Sequence, residues 1–225
     1  MRLAKNCLDV GLFTTNLEPM LEFWQNEVGL PFEEVLPVGG GVHQHRHGLN
    51  GAVLKINHVR GDLPDEGPSG YRELYIVREG RRVPKRLTDP DGNSVVLVPP
   101  GYAEIQAVGI TLAVDDMAWA NSYYSGTLGW QPDGDHRYRC GNTVLLLDHA
   151  DDVRPVGELR ARGFRYLTAQ VWDCDAEHAA ILRRGGTEGR PPATLGSTAR
   201  ISFVRDPDGN WLEISQRASL TGPLG

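Results

Sequence analysis

The stretch "VRDPDGNWLEIS" (Val204–Ser215) decides the fold. Its centre, "DPDGN" at Asp206–Asn210, also stands at Asp89–Asn93, followed there by "SVVLVP". Proline fixes φ, glycine and asparagine tolerate positive φ, and aspartate caps its own turn, so each copy reads as a tight turn between two strands. The second copy is followed three residues on by Glu213, the first by Val96. A turn kept twice marks an internal repeat.

Three further echoes support it. "TTNLEPMLEFWQNEVGL" (Thr14–Leu30) matches "VDDMAWANSYYSGTLGW" (Val114–Trp130). In the first, Leu17, Met20, Leu21, Phe23 and Trp24 form a one-sided stripe at helical spacing; in the second, Met117, Ala120, Tyr123, Tyr124 and Leu128 do so. "GAVLKINH" (Gly51–His58) matches "NTVLLLDH" (Asn142–His149), each an apolar β-rich run after a turn. "GYRELYIV" (Gly70–Val77) matches "GFRYLTAQV" (Gly163–Val171). After the latter comes "WDCDAEHAAILRRGG", a helix with Asp173 or Asp175 near its start and Gly185-Gly186 past its end. After "GYRELYIV" the chain runs almost directly to the first DPDGN, so the first half lacks that helix. The halves meet near "VPPGYAEI" (Val98–Ile105), where Pro99-Pro100-Gly101 break structure. Two domains are expected, 1–100 and 101–225.

The 225 residues carry a net charge of −6 with no basic tract, which argues against nucleic acid or an anionic membrane as partner. No apolar run has the length of a membrane span. Three cysteines without CxxC spacing read as reduced thiols, and a cytoplasmic protein is expected.

In this order, "LDVGLFTTNLEPMLEFWQNEVGL", "RLTDPDGNSVVLV", "VGITLAVDDMAWANSYYSGTLGW" and "FVRDPDGNWLEI" resemble the vicinal oxygen chelate superfamily. That group includes glyoxalase I, bleomycin-resistance proteins, methylmalonyl-CoA epimerases and extradiol dioxygenases. The resemblance covers nearly the whole chain. It implies an α+β fold of paired βαβββ modules in two cupped mixed sheets, one module trimmed, with a small-molecule ligand in a cup. In metal-dependent relatives, first strands, last strands and the Glu after DPDGN hold a divalent cation with open positions. Carried over, the first-half positions are Asp9, Lys55, Glu73 and Val96; the second-half positions are Gly109, Leu146, Tyr166 and Glu213. None is histidine.

Asp9, Lys55 and Glu73 are therefore expected to converge in one cup, either as ion pairs plugging a retired site or as an acid/base set; Glu213, in the other half and without partners there, is expected to be either a catalytic carboxylate or one hydrogen-bonded locally. A second candidate is "GVHQHRHGLNG", which puts His43, His45 and His47 on one face of a strand. With Asp9 they form a possible ligand set for Fe, Zn, Ni or Mn; a metal-free site is the equal alternative. The turn decides which face the histidines take. A two-residue "NG" loop pairs Arg46 with Lys55 and turns them away from the cup; a three-residue "LNG" loop pairs His45 with Lys55 and turns them in. Tyr138, Tyr166 and Trp211 are candidate pocket walls.

Two functions of different class follow. Polar groups kept at ligand positions favour a lyase, isomerase or dioxygenase acting on a small oxygenated metabolite. Loss of the family's histidines favours a metal-free binding or sequestering protein. Four modules in one chain are compatible with a monomer or a homodimer.

Overall fold

In the computed structural model, which describes residues 1–64 and 66–224, the chain folds as four consecutive modules around two mixed sheets. The first module is β1 (Leu3–Thr14), α1 (Leu17–Glu22), β2 (Phe32–Pro37), β3 (Val42–Leu49) and β4 (Ala52–Val59). The second has only β5 (Tyr71–Val77), β6 (Lys85–Thr88) and β7 (Ser94–Val98), without a helix, as the sequence predicts. The third is β8 (Val108–Val114), α2 (Met117–Ser122), β9 (Gln131–Pro132), β10 (Arg137–Cys140) and β11 (Thr143–His149). The fourth is β12 (Gly163–Val171), α3 (Cys174–Arg183), β13 (Thr187–Leu195), β14 (Ala199–Arg205) and β15 (Trp211–Arg217), followed by the short α4 (Ala218–Thr221).

The grouping of modules differs from the expected division at residue 100. The eight-stranded sheet has the order β13-β14-β15-β12-β1-β4-β3-β2 and joins the first module to the fourth. The seven-stranded sheet, β6-β7-β5-β8-β11-β10-β9, joins the second to the third. The Pro-Pro-Gly break near residue 100 thus lies inside the second sheet, between β7 and β8. Echoes in sequence identify repeats, whereas strand pairing is set by which apolar faces meet, and the two do not coincide here.

The helical stripes bury as their spacing requires. Met20, Phe23 and Trp24 are buried, and so are Ala120, Tyr123, Tyr124 and Leu128. Both helices end in a wider π turn, with Val28 N–H bonded to Phe23 O and Leu128 N–H to Tyr123 O. The extra residue sets two adjacent aromatics edge to face, Phe23 on Trp24 and Tyr123 on Tyr124. Asp173 caps α3 by accepting from Ala176 N–H at 2.9 Å. One core joins these helices to the backs of both sheets, among them Leu8, Leu54, Leu74 and Leu112. Each such fully buried side chain contributes about 2 kcal/mol. The opposite face of each sheet carries its own smaller cluster and forms a cup. All three cysteines are buried and unpaired.

The two DPDGN turns are built alike. Asp89 Oδ1 accepts the Asp91 and Asn93 amides, and Asp206 Oδ1 accepts the Asn210 amide. Each asparagine then reaches the other sheet. Asn93 Oδ1 accepts Phe164 N–H at the start of β12, and Asn210 Oδ1 accepts Gly70 N–H just before β5. Glycine stands at one landing point, Gly70, and just before the other, at Gly163; a Cβ there would lie 2.7 or 2.8 Å from the asparagine side chain.

Candidate functional site

The β3–β4 hairpin settles the orientation of the histidines. Asn50 and Gly51 have φ of 48° and 88°, the two left-handed residues of a tight hairpin turn. Leu49 therefore faces Ala52, and Arg46 faces Lys55. Arg46, Gln44, Lys55 and Asn57 point into the eight-stranded cup, while the histidines point to the back of the sheet. His47 is buried there, 3.0 Å from Gln25 Nε2 and edge-on to Phe32. Burial pushes its imidazole down to about 4. His45 is also lowered, by burial and then by His58 and His43. Asp9 lies on the other face of the sheet, so the structure does not bring it together with the histidine row.

The cup brings together four family ligand positions, taken from the first and fourth modules: Asp9 on β1, Lys55 on β4, Tyr166 on β12 and Glu213 on β15. Register puts Gly11 opposite both Tyr166 and Lys55, Asp9 opposite Thr168, and Thr168 beside Glu213. Lys55 Nζ donates to Glu213 Oε2 at 2.6 Å and to Thr168 Oγ1 at 2.7 Å. Thr168 Oγ1 in turn donates to Glu213 Oε2 at 2.5 Å. The ammonium also lies 5.4 Å from the centre of the Tyr166 ring. Asp9 accepts from Lys5 Nζ at 2.7 Å, the Val53 amide at 2.9 Å and Gln170 Nε2 at 3.1 Å. Burial pushes its carboxyl up, but Lys55, Lys5 and the hydrogen bonds outweigh that and hold it below the ordinary aspartate range. Burial, then the Glu213 charge, raises the Tyr166 phenol well above its ordinary value, so it is neutral.

Glu73 is not part of this set. It lies in the seven-stranded sheet, ion-paired to Arg86 and accepting from Ser94 Oγ at 2.8 Å. The rest of that cup is apolar: Ile105 packs onto Gly109, with Val77, Val96, Val98 and Val144 around it and Leu146 alongside. The expected trio of Asp9, Lys55 and Glu73 is thus replaced by Asp9, Lys55 and Glu213. Asp9 and Lys55 lie in one sheet and Glu73 in the other.

The donor set does not fit a divalent metal. Among the four positions stands an ammonium with no lone pair, hydrogen-bonded to one of the two carboxylates a metal would need. Lys55 supplies the positive charge that the carboxylates require, so the cup is electrostatically complete without a cation.

Beside Lys55 opens a cavity of about 260 Å³. Phe13, Val42, Leu159, Ile201 and Phe203 wall it, and Gln44, Asn57, Tyr166 and Glu213 form its inner polar side. Of the three expected pocket aromatics, Tyr166 lines it and Trp211 packs edge-on against Phe203 just behind. Tyr138 lies on the back of the other sheet, bonded to Asn121 Oδ1 at 2.7 Å. Sequence reasoning missed Gln44, Asn57, Thr168 and Gln170. Their signal was strand alternation, since Tyr166, Thr168 and Gln170 share a face, as do Gln44 and Arg46.

A βαβββ architecture with two cups and paired DPDGN turns defines the class. Residues 106–214 match the family model of the Glyoxalase/Bleomycin resistance protein/Dioxygenase superfamily, as the motifs predict. The whole chain has its fold. Glyoxalase I from Zea mays superposes with a TM-score of 0.75 at 17% identity, over 96% of this chain and 92% of that one. A protein of Bacillus subtilis subsp. subtilis str. 168, provisionally called a dioxygenase, superposes with a TM-score of 0.69 at 14% identity, over 96% and 85%. No curated protein matches the chain. Among the described residues no helix is long and apolar enough to cross a membrane.

Proposed function

We propose that the protein binds a small, largely apolar molecule in the eight-stranded cup without a metal ion. The observation that carries this reading is the placement of Lys55 Nζ on Glu213 and Thr168, at the foot of an apolar cavity. The charged groups at the ligand positions are already satisfied, Lys55 and Glu213 by each other and Asp9 by Lys5. What remains open to a ligand is the apolar wall with a few convergent polar groups, the usual make-up of a small-molecule pocket. The seven-stranded cup, filled by Ile105 and valines, serves the fold.

The test is a thermal-shift screen of small aromatic and alicyclic compounds on protein dialysed against a chelator. The expected result is a set of ligands that raise the melting temperature equally with and without chelation. Binding that disappears on chelation and returns with zinc, iron, nickel or manganese overturns the reading.

A second reading has one specific support: Glu213 both lines the cavity and contacts Lys55. A lysine-paired carboxylate at a ligand's edge is suited to move a proton in an isomerase or lyase. Under that reading, Glu213→Gln abolishes turnover of a bound compound while its affinity changes by less than about threefold.

A further inference from the structure

The cavity has a charge arrangement that the binding reading alone does not use. Its inner polar side is closed on itself. Gln44 Nε2 donates to Asn57 Oδ1 at 3.0 Å, Asn57 Nδ2 donates to the Leu12 carbonyl and to the Tyr166 hydroxyl, and Gln44 Oε1 accepts from Arg46. Glu213 is held by Lys55 and Thr168. Those groups have few donors left to orient a ligand.

Two further residues lining the cavity are arginines. Half-buried Arg160 donates from Nη1 to the Gly40 carbonyl at 3.2 Å. Arg190 is exposed on β13, and its guanidinium lies 5.9 Å from the Phe203 ring centre and 5.6 Å from that of Trp211. Neither takes part in the ion pairs formed among the described residues. The carboxylate that shares the cavity with them already has its lysine. Two guanidiniums with no acidic partner among the described residues therefore flank an apolar chamber that has no net charge of its own. Guanidinium forks match a carboxylate better than any neutral group, and the apolar surroundings strengthen the contact.

We propose that the ligand is an amphipathic carboxylate. Its flat apolar body lies against Phe13, Tyr166 and Phe203, and its carboxylate is held by Arg160 and Arg190. The inference rests on the reading of the cup as a ligand pocket and adds the chemical class of the ligand.

Naphthoate and naphthamide, which share a body and differ in charge, make the test. Affinities are measured by titration calorimetry on the wild-type protein, on Arg160→Gln/Arg190→Gln and on Arg160→Lys/Arg190→Lys, with melting temperatures confirming that all three are folded. Wild type is expected to bind naphthoate about tenfold or more tighter than naphthamide, with a preference that shrinks as salt rises. The glutamine variant is expected to lose the preference, binding naphthoate no tighter than naphthamide, and the lysine variant to keep a good part of it. Equal affinity of wild type for the two compounds overturns the inference and leaves the pocket reading standing. A preference that survives the glutamine substitutions also overturns it, because the carboxylate then sits elsewhere. If wild type binds neither compound, the pocket reading falls and the inference falls with it.

Discussion

Asn93 accepts the backbone amide of Phe164 at 3.1 Å across the junction of the two sheets, and Asn210 repeats the contact in the opposite direction, onto Gly70 at 2.7 Å. Each asparagine also donates through Nδ2 to the aspartate that opens its own turn, Asp89 or Asp206. The turns therefore act as a reciprocal pair of clasps between sheets. Asn210 is fully buried, so Asn210→Ala strands the Gly70 amide away from water. A loss of about 2–4 kcal/mol is expected for Asn210→Ala and about 1–2 kcal/mol for the partly exposed Asn93→Ala, from urea denaturation. Equal and negligible losses would show that the contacts are incidental.

Lys55 and Glu213 form a buried pair, and such pairs are costly to break from one side only. Lys55→Met leaves the Glu213 carboxylate with Thr168 alone and is expected to lower stability by about 3 kcal/mol. Adding Glu213→Leu removes the stranded charge and should recover most of that loss. A double-mutant cycle by chemical denaturation measures the coupling; additive losses from the two substitutions would refute it.

Gly11 is required by the close approach of Tyr166. A Cβ at position 11 would lie 2.1 Å from the Tyr166 ring, which must then swing off the sheet. That movement breaks its contacts with Asn57 and Gln44 and pushes the ring into the cavity. Gly11→Ala is expected to cost about 2 kcal/mol of stability and to weaken ligand binding at least about tenfold. Unchanged binding in a folded Gly11→Ala protein would remove Tyr166 from the pocket wall.

Stability between pH 4 and 6.5 reflects two opposed sets of groups. Burial pushes Asp89 and Asp206 up to about 6, so in this window the native state keeps protons that the unfolded chain has lost. Their contribution favours folding on the acid side and is lost as pH rises through about 6. His47, pushed down to about 4 by burial, does the reverse: its contribution is complete above about 6.5 and is lost as pH falls toward 4. His47→Asn removes the larger part of the second trend, leaving that of the less buried His45, and leaves the first. Urea midpoints measured across the window should fall with rising pH more steeply in the variant than in wild type, a difference of roughly 1–2 kcal/mol after solvent screening. Parallel profiles would contradict this assignment.

Much of this was legible in the letters. The DPDGN pair, the helical stripes and the missing helix after Val77 are local patterns, and local patterns survive without knowledge of neighbours. The ligand positions Asp9, Lys55, Tyr166 and Glu213 were each identified from their modules. Their grouping was not legible, because Lys55 and Glu213 meet through pairings between modules at opposite ends of the sequence. Nor was the histidine face, which depends on whether Leu49 pairs or turns. Arg160 and Arg190 lie outside every motif, on a loop and an edge strand, and only the folded cavity brings them together.

The eight-stranded sheet closes where β1 meets β12, a pairing of Asp9 with Thr168. During synthesis the seven-stranded sheet has all its strands once residue 149 has emerged, while β1–β4 must wait with an unpaired edge until the fourth module arrives. The ligand chamber is therefore the last part of the molecule to exist on the ribosome. A nascent chain stalled before β12 exposes the β1 edge, with Asp9 held by Lys5 but Lys55 still without Glu213 and Thr168, an open edge of the kind that pairs with other chains.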